Sequence, residues 1–175
     1  MFLNRIKLFL VISIYLIFFS ITKIDVESQE VKLISGKAEV IDGDTIKIKK
    51  KRIRLFGIDA PEKKQKCGKP WLTISFMTFS KQYHCGEIST LKLKNKINGE
   101  FITCKSTNKD RYKRFIAECF KGKTNINRWM VRNGYAVVYH KYSKKYLAPE
   151  NLAKDEKLGL WAGSFKKPWE WRKEN

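Results

Sequence analysis

Between Ala38 and Leu55 apolar and polar residues alternate with period two, and the alternation breaks twice, at Asp42-Gly43 and at Lys49 to Lys51. Ala38 and Val40, Ile46 and Ile48, and Ile53 and Leu55 therefore each fall on one face of an extended segment. Connections this short join only antiparallel neighbours, so the pattern predicts three successive antiparallel strands with one apolar face to bury.

Two more strand-like runs follow, Phe101 to Lys105 and Arg114 to Phe120, joined by the turn-rich Ser106 to Lys113. Helical spacing of Ile88, Leu91, Leu93 and Ile97 predicts a helix over Glu87 to Ile97, stopped by Asn98-Gly99. A second helix is capped by Asn125 and ends at Asn133-Gly134, and a third runs from Pro149 to Lys157, before Gly159. Tyr135 to Tyr139 is extended, and Asp59 to Cys85, with Gly68, Pro61 and Pro70 and no clean period, is expected to be a long ordered loop. The fold class these elements predict is α+β: a five-stranded antiparallel OB-type β-barrel with about three packed helices.

Lysine and arginine number 37 against 17 aspartate and glutamate, a formal charge of +20, which calls for a polyanionic partner such as nucleic acid or an anionic membrane surface. Arg5 and Lys7 precede an apolar run from Leu8 to Ile21. That run falls short of the ~20 residues of a spanning helix and has the order of a secretory leader. The expected division is a signal peptide or N-terminal membrane anchor at 1–25, a folded domain at 34–165, and a basic aromatic C-terminal tail at 166–175. Export to the periplasm or beyond is the expected localisation, with a membrane tether if the leader is kept.

An oxidising compartment turns four cysteines into disulfides. Cys67 and Cys85 flank one irregular stretch, and Cys104 and Cys119 sit in two strands on either side of a turn, so Cys67 with Cys85 and Cys104 with Cys119 is the best of three pairings. No C-x-x-C pair is present to favour zinc.

Asp42 and Asp44 lie in the turn V-I-D-G-D-T, and Asp59 ends the third strand, where pairing can bring it to that turn. Oxygen ligands without histidine or thiolate favour a hard cation. Arg54 and Glu62 flank Asp59 and add a cation and a base. Charge neutralisation and water activation are what phosphodiester hydrolysis demands. Arg114, opening the fifth strand, offers a second guanidinium fork for one phosphate.

Ala38 to Trp161 resembles the thermonuclease (staphylococcal nuclease-like) family through V-I-D-G-D-T-I-K-I at Val40 to Ile48, R-L-F-G-I-D-A-P-E at Arg54 to Glu62, D-R-Y-K-R-F-I-A at Asp110 to Ala117, and G-L-W at Gly159 to Trp161. The resemblance implies a nuclease for DNA and RNA that leaves 3'-phosphate ends. It also implies one calcium ion held by Asp44, Asp59 and the backbone carbonyl of Ala60, with Asp42 behind them. Glu62 is the implied general base, and Arg54 and Arg114 the implied phosphate ligands. Tyr112 and Tyr142, with Tyr139 and His140 beside the latter, are candidates for contacting the nucleotide. Ala60 and Lys113 stand where threonine and glycine are frequent in the family, and the cysteines match its cystine-bearing bacterial branch. Trp129 and Trp161 are expected in the core rather than against a base. The expected protein is a monomer with no obligate protein partner.

Overall fold

The computed structural model describes residues 31–175. The leader or anchor expected at 1–25 lies outside the described residues. Among those described, no helix is long and apolar enough to cross a membrane.

Among the described residues, ten strands and four α-helices follow one another. The strands are β1 (Lys32–Asp42), β2 (Thr45–Ile48), β3 (Lys51–Leu55), β4 (Ile58–Asp59), β5 (Cys67–Ile74), β6 (Met77–Tyr83), β7 (Phe101–Lys109), β8 (Phe115–Lys121), β9 (Thr124–Asn125) and β10 (Val137–Val138). The helices are α1 (Cys85–Ile97), α2 (Ile126–Arg132), α3 (Leu147–Asp155) and α4 (Pro168–Glu174), with a 3-10 turn at Gly159–Ala162.

The barrel is built from β1, β2, β3, β7 and β8. The meander pairs Val40 with Ile46 and Ile46 with Ile53, and β1 continues into β7 through Ile34 opposite Cys104. Closure is made by a parallel pair, β3 with β8, in which Ile53, Arg54 and Leu55 face Phe115, Ile116 and Ala117. The inward residues Ile34, Ile46, Ile48, Ile53, Leu55, Ile102 and Ala117 are buried, as the period-two pattern requires. Both disulfides have the expected pairing, and Cys104 and Cys119 are direct cross-strand partners.

Helix α2 begins where Asn125 accepts a hydrogen bond from Arg128 N at 2.9 Å, and packs Ile126, Met130 and Val131 into the core. Asn127 pins that helix to the barrel, donating to the carbonyls of Phe56 and Ala117 and accepting from Cys119 N. In α1 the buried stripe is Ser89, Leu93 and Ile97; Ile88 and Leu91, expected on that face, are exposed. The rotation is set by Ser89, whose hydroxyl donates to Tyr135 O at 2.7 Å and so faces inward.

The stretch expected to be a loop is largely a hairpin. β5 and β6 pair antiparallel with Cys67 opposite Tyr83 and Ile74 opposite Met77, and a bulge at Trp71 breaks the alternation that would have announced it. A second apolar cluster of Cys67, Cys85, Val137 and Leu160, with Trp161, Phe165 and Trp169 against it, holds the hairpin base and the C-terminal segment. Residues expected to be a tail thus contain α4, opened by Pro168 at its first position.

Candidate active site

The site begins at the turn between β1 and β2. Asp42 Oδ1 accepts from Asp44 N at 3.0 Å, which shapes the turn. Gly43 brings the turn against the rest of the site, since a Cβ there would lie 2.2 Å from Ser89 Oγ and 2.7 Å from Ala60 Cβ. Asp44 is consequently buried; its Oδ1 accepts from the Thr45 hydroxyl and its Oδ2 from Ala60 N, both at 3.0 Å.

Arg54 comes from β3, directly across from Thr45. Its Nη1 donates to Asp44 Oδ1 at 2.8 Å and its Nη2 to Asp59 Oδ1 at 2.5 Å, so one guanidinium bridges two carboxylates. Asp59 is held in β4 opposite Val137 and is fully buried. Ala60 and Pro61 then lead to Glu62. The Glu62 amide donates to Gln65 Oε1 at 3.2 Å, while Gly86 presses so closely that a Cβ would meet Glu62 O at 1.8 Å.

Electrostatically the site is crowded with negative charge. Burial, then the charge of Asp44, pushes the Asp42 carboxyl up to about 6. Burial pushes Asp59 up to about 6 as well, with the charge of Asp44 adding to the rise and Arg172 and Arg54 opposing it. Burial works against the charge of Arg54, but Asp44 and Asp59 outweigh it, and the guanidinium holds its proton more tightly than in water.

Among the described residues, no group of three or more histidine, cysteine, aspartate or glutamate side chains surrounds a metal position. The two carboxylates that Arg54 brings together, Asp44 and Asp59, offer hard oxygens in a site where unneutralised charge is costly. They fit a hard divalent cation.

Arg114 stands one residue before β8, the strand beside Arg54. Its guanidinium is engaged by Asp110, with Nε and Nη2 each 2.7 Å from Oδ2, and among the described residues it makes no hydrogen bond to the Arg54 cluster. Lys113 adopts the glycine-like left-handed conformation at φ 61°, so the turn is kept without the glycine. Asp110 Oδ1 caps that turn by accepting from Tyr112 N and Arg114 N.

Tyr112 and Tyr142 are both exposed, with the Tyr112 ring under the guanidinium groups of Arg111 and Arg114. Tyr139 is not open for stacking: the Trp169 ring lies on it at 5.2 Å and 5°, and Tyr142 meets it edge-on. Trp129 and Trp161 pack against the two apolar clusters, as expected.

One residue of the site escaped the sequence reading. Arg172, on α4, donates from Nη2 to Asp59 Oδ2 at 2.7 Å, and from Nη1 to Asp59 Oδ1 at 3.2 Å and Glu62 Oε1 at 2.6 Å. Trp169 on Tyr139, and Gln65 Nε2 donating to Lys166 O at 2.7 Å, hold α4 in place. The available signal was a proline-started helix with Trp169 and Arg172 three apart, hence on one face.

Residues 52–163 match the family model described as staphylococcal nuclease homologue. The chain is 36% identical over 141 residues to an uncharacterized endonuclease of Escherichia coli, covering 76% of this chain and 80% of that protein. It is also 36% identical over 132 residues to the succinoglycan biosynthesis protein ExoI of Rhizobium meliloti, covering 73% of this chain and 64% of that one. A staphylococcal-like nuclease of Arabidopsis thaliana is 34% identical over 128 residues, 71% of this chain and 34% of the plant protein. Arg172 lies beyond the stretch that matches the family model.

Proposed function

Because this chain belongs to the staphylococcal nuclease homologue family, a family of nucleases, we propose that it is an exported, calcium-dependent phosphodiesterase of DNA and RNA that leaves 3'-phosphate ends. The observation that carries this reading is the Arg54 guanidinium bridging the buried carboxylates Asp44 and Asp59, with Glu62 three residues beyond. A calcium ion held by Asp44, Asp59 and the Ala60 carbonyl would supply positive charge to the scissile phosphate and lower the cost of its attack.

The remaining work falls to side chains. Glu62 takes a proton from the attacking water as the water oxygen bonds to phosphorus, and the bond from phosphorus to the 5'-oxygen breaks, that oxygen taking a proton from solvent to leave as the 5'-hydroxyl. Arg54 and Arg114 hold the non-bridging oxygens, for which Arg114 must exchange some of its contact with Asp110 for phosphate. Arg172 is the third guanidinium. It rests on Asp59 and Glu62, contends with cation for Asp59, and gains a new acceptor when a phosphodiester enters. Tyr112, beside Arg114, meets the nucleotide.

The test is cleavage of plasmid and single-stranded DNA by the oxidised protein with calcium and then with chelator. Glu62→Gln should lower turnover by about 10²-fold or more while DNA binding persists, because the shape stays and the base goes. Cleavage that continues in chelator, or undiminished cleavage by that variant, would sink the proposal.

A further inference from the structure

The β5–β6 hairpin carries a face that the nuclease site leaves unused. Cross-strand pairing puts Leu72 opposite Phe79 and Ile74 opposite Met77, and all four side chains are exposed. The intervening pair, Thr73 and Thr78, turns the other way, and their hydroxyls meet at 3.3 Å. The ribbon is therefore amphipathic, with its apolar face open to solvent. At its tip Phe76 is 91% exposed.

Toward the base, Lys69 lies directly opposite Lys81. By the alternation along β6, Lys81 shares the face of Phe79 and Met77. Like charges directly opposite on neighbouring strands repel. Cys67 to Tyr83 contains no aspartate or glutamate to relieve the pair. The hairpin thus ends in apolar side chains and is backed by uncompensated cations, an arrangement that lowers its free energy where an apolar layer lies beneath a negative one.

We propose that this hairpin is a docking surface for an anionic lipid bilayer. The Ile74–Met77 end enters the acyl boundary, and Lys69 and Lys81 remain at the headgroup phosphates, their stems lying along the apolar face. Hairpin edges carry unpaired backbone N–H and C=O groups, which keeps the ribbon in the interface rather than across the hydrocarbon. The chemistry of the hairpin favours lipid over nucleic acid: Pro70 to Ser80 carries no charge to meet a phosphate backbone, and the cations lie only at the base. The overall charge of +20 draws the protein to the same surface, and the apolar run from Leu8 to Ile21 is a second lipid-directed feature of the sequence.

The decisive measurement is hydrogen–deuterium exchange of the full chain, followed in peptides covering residues 69–81. The conditions are buffer, phosphatidylcholine vesicles, phosphatidylglycerol vesicles and duplex DNA. Because the readout is local, lipid binding by the leader does not mimic it. Phosphatidylglycerol should slow exchange in these peptides by about tenfold, and zwitterionic vesicles should slow it little. A variant combining Leu72→Ser, Ile74→Ser, Met77→Ser and Phe79→Ser should lose that protection and keep nuclease activity. Unchanged exchange on phosphatidylglycerol overturns the proposal even without the variant. Protection by DNA alone, or protection that grows with protein concentration in buffer, overturns it in favour of a nucleic-acid surface or self-association.

Discussion

Replacing Arg172 by alanine should move calcium affinity and turnover in opposite directions. The guanidinium makes two hydrogen bonds to Asp59 and one to Glu62. A cation that binds Asp59 must loosen the first two. Hydrogen bonds to charged groups contribute about 1.5–3 kcal/mol. Because the Arg172 side chain is 35% exposed, the low end is taken for the two bonds together rather than for each. Removing about 1.5 kcal/mol of competition predicts calcium binding about tenfold tighter in Arg172→Ala, read by isothermal titration calorimetry without substrate.

Turnover at saturating calcium should fall all the same, by roughly 10-fold to 10²-fold, because a positioned donor to the phosphate is gone. Arg172→Lys should recover little of it, since an ammonium cannot reproduce the fork. Unchanged or weaker calcium binding in the alanine variant would show that Arg172 does not contend for Asp59. Tighter binding with faster turnover would show that it only obstructs the site.

Gly86→Ala would place a Cβ 1.8 Å from Glu62 O and force the base to shift, so kcat should drop about 10²-fold with the fold intact by circular dichroism. Asn127→Ala removes three hydrogen bonds between α2 and the barrel, two of them buried. About 3 kcal/mol of stability should go with them, lowering Tm by roughly 6–12 °C in calorimetry. For pH, Asp42 and Asp59 titrate near 6, above their unfolded value, so between about 4 and 6 the native state binds more protons than the unfolded one. These two groups therefore destabilise the chelated protein above pH 6, and the destabilisation is relieved as pH falls from about 6 to about 4. Chelator-treated protein should show a Tm contribution of that sign that added calcium suppresses, and a Tm unaffected by calcium at pH 7 would refute the assignment.

The barrel was legible because its signal is local. Ala38 to Leu55 announces three strands and two turns by side-chain period alone, and a one-residue slip would expose Ile46 and Ile53. Closure is different: β3 meets β8 in parallel across about sixty residues, and no local pattern encodes such a contact. The hairpin was hidden by one extra residue. Leu72 and Ile74 alternate with Thr73, and Met77 and Phe79 with Thr78, but Trp71 in the bulge and Phe76 at the turn fill the polar beats with aromatics. In α1, spacing alone made Ile88 and Leu91 look like core, whereas the packed face is chosen by the polar Ser89 and its bond to Tyr135 O.

The site divides along the same line. Asp44, Arg54 and Asp59 come from 16 consecutive residues joined by a hairpin, so local pairing forces them together, and Arg54 locks the result with two ion pairs. Glu62 and Arg172 are 110 residues apart and meet only because a second apolar cluster docks the C-terminal segment. That cluster is covalently tied through Cys67–Cys85, and Gln65, two residues before Cys67, hydrogen-bonds both the Glu62 amide and the Lys166 carbonyl. The base and the third guanidinium thus share one support while the carboxylate pair rests on the barrel. Loosening the C-terminal segment should therefore disturb Glu62 and Arg172 together and leave the Arg54 bridge in place.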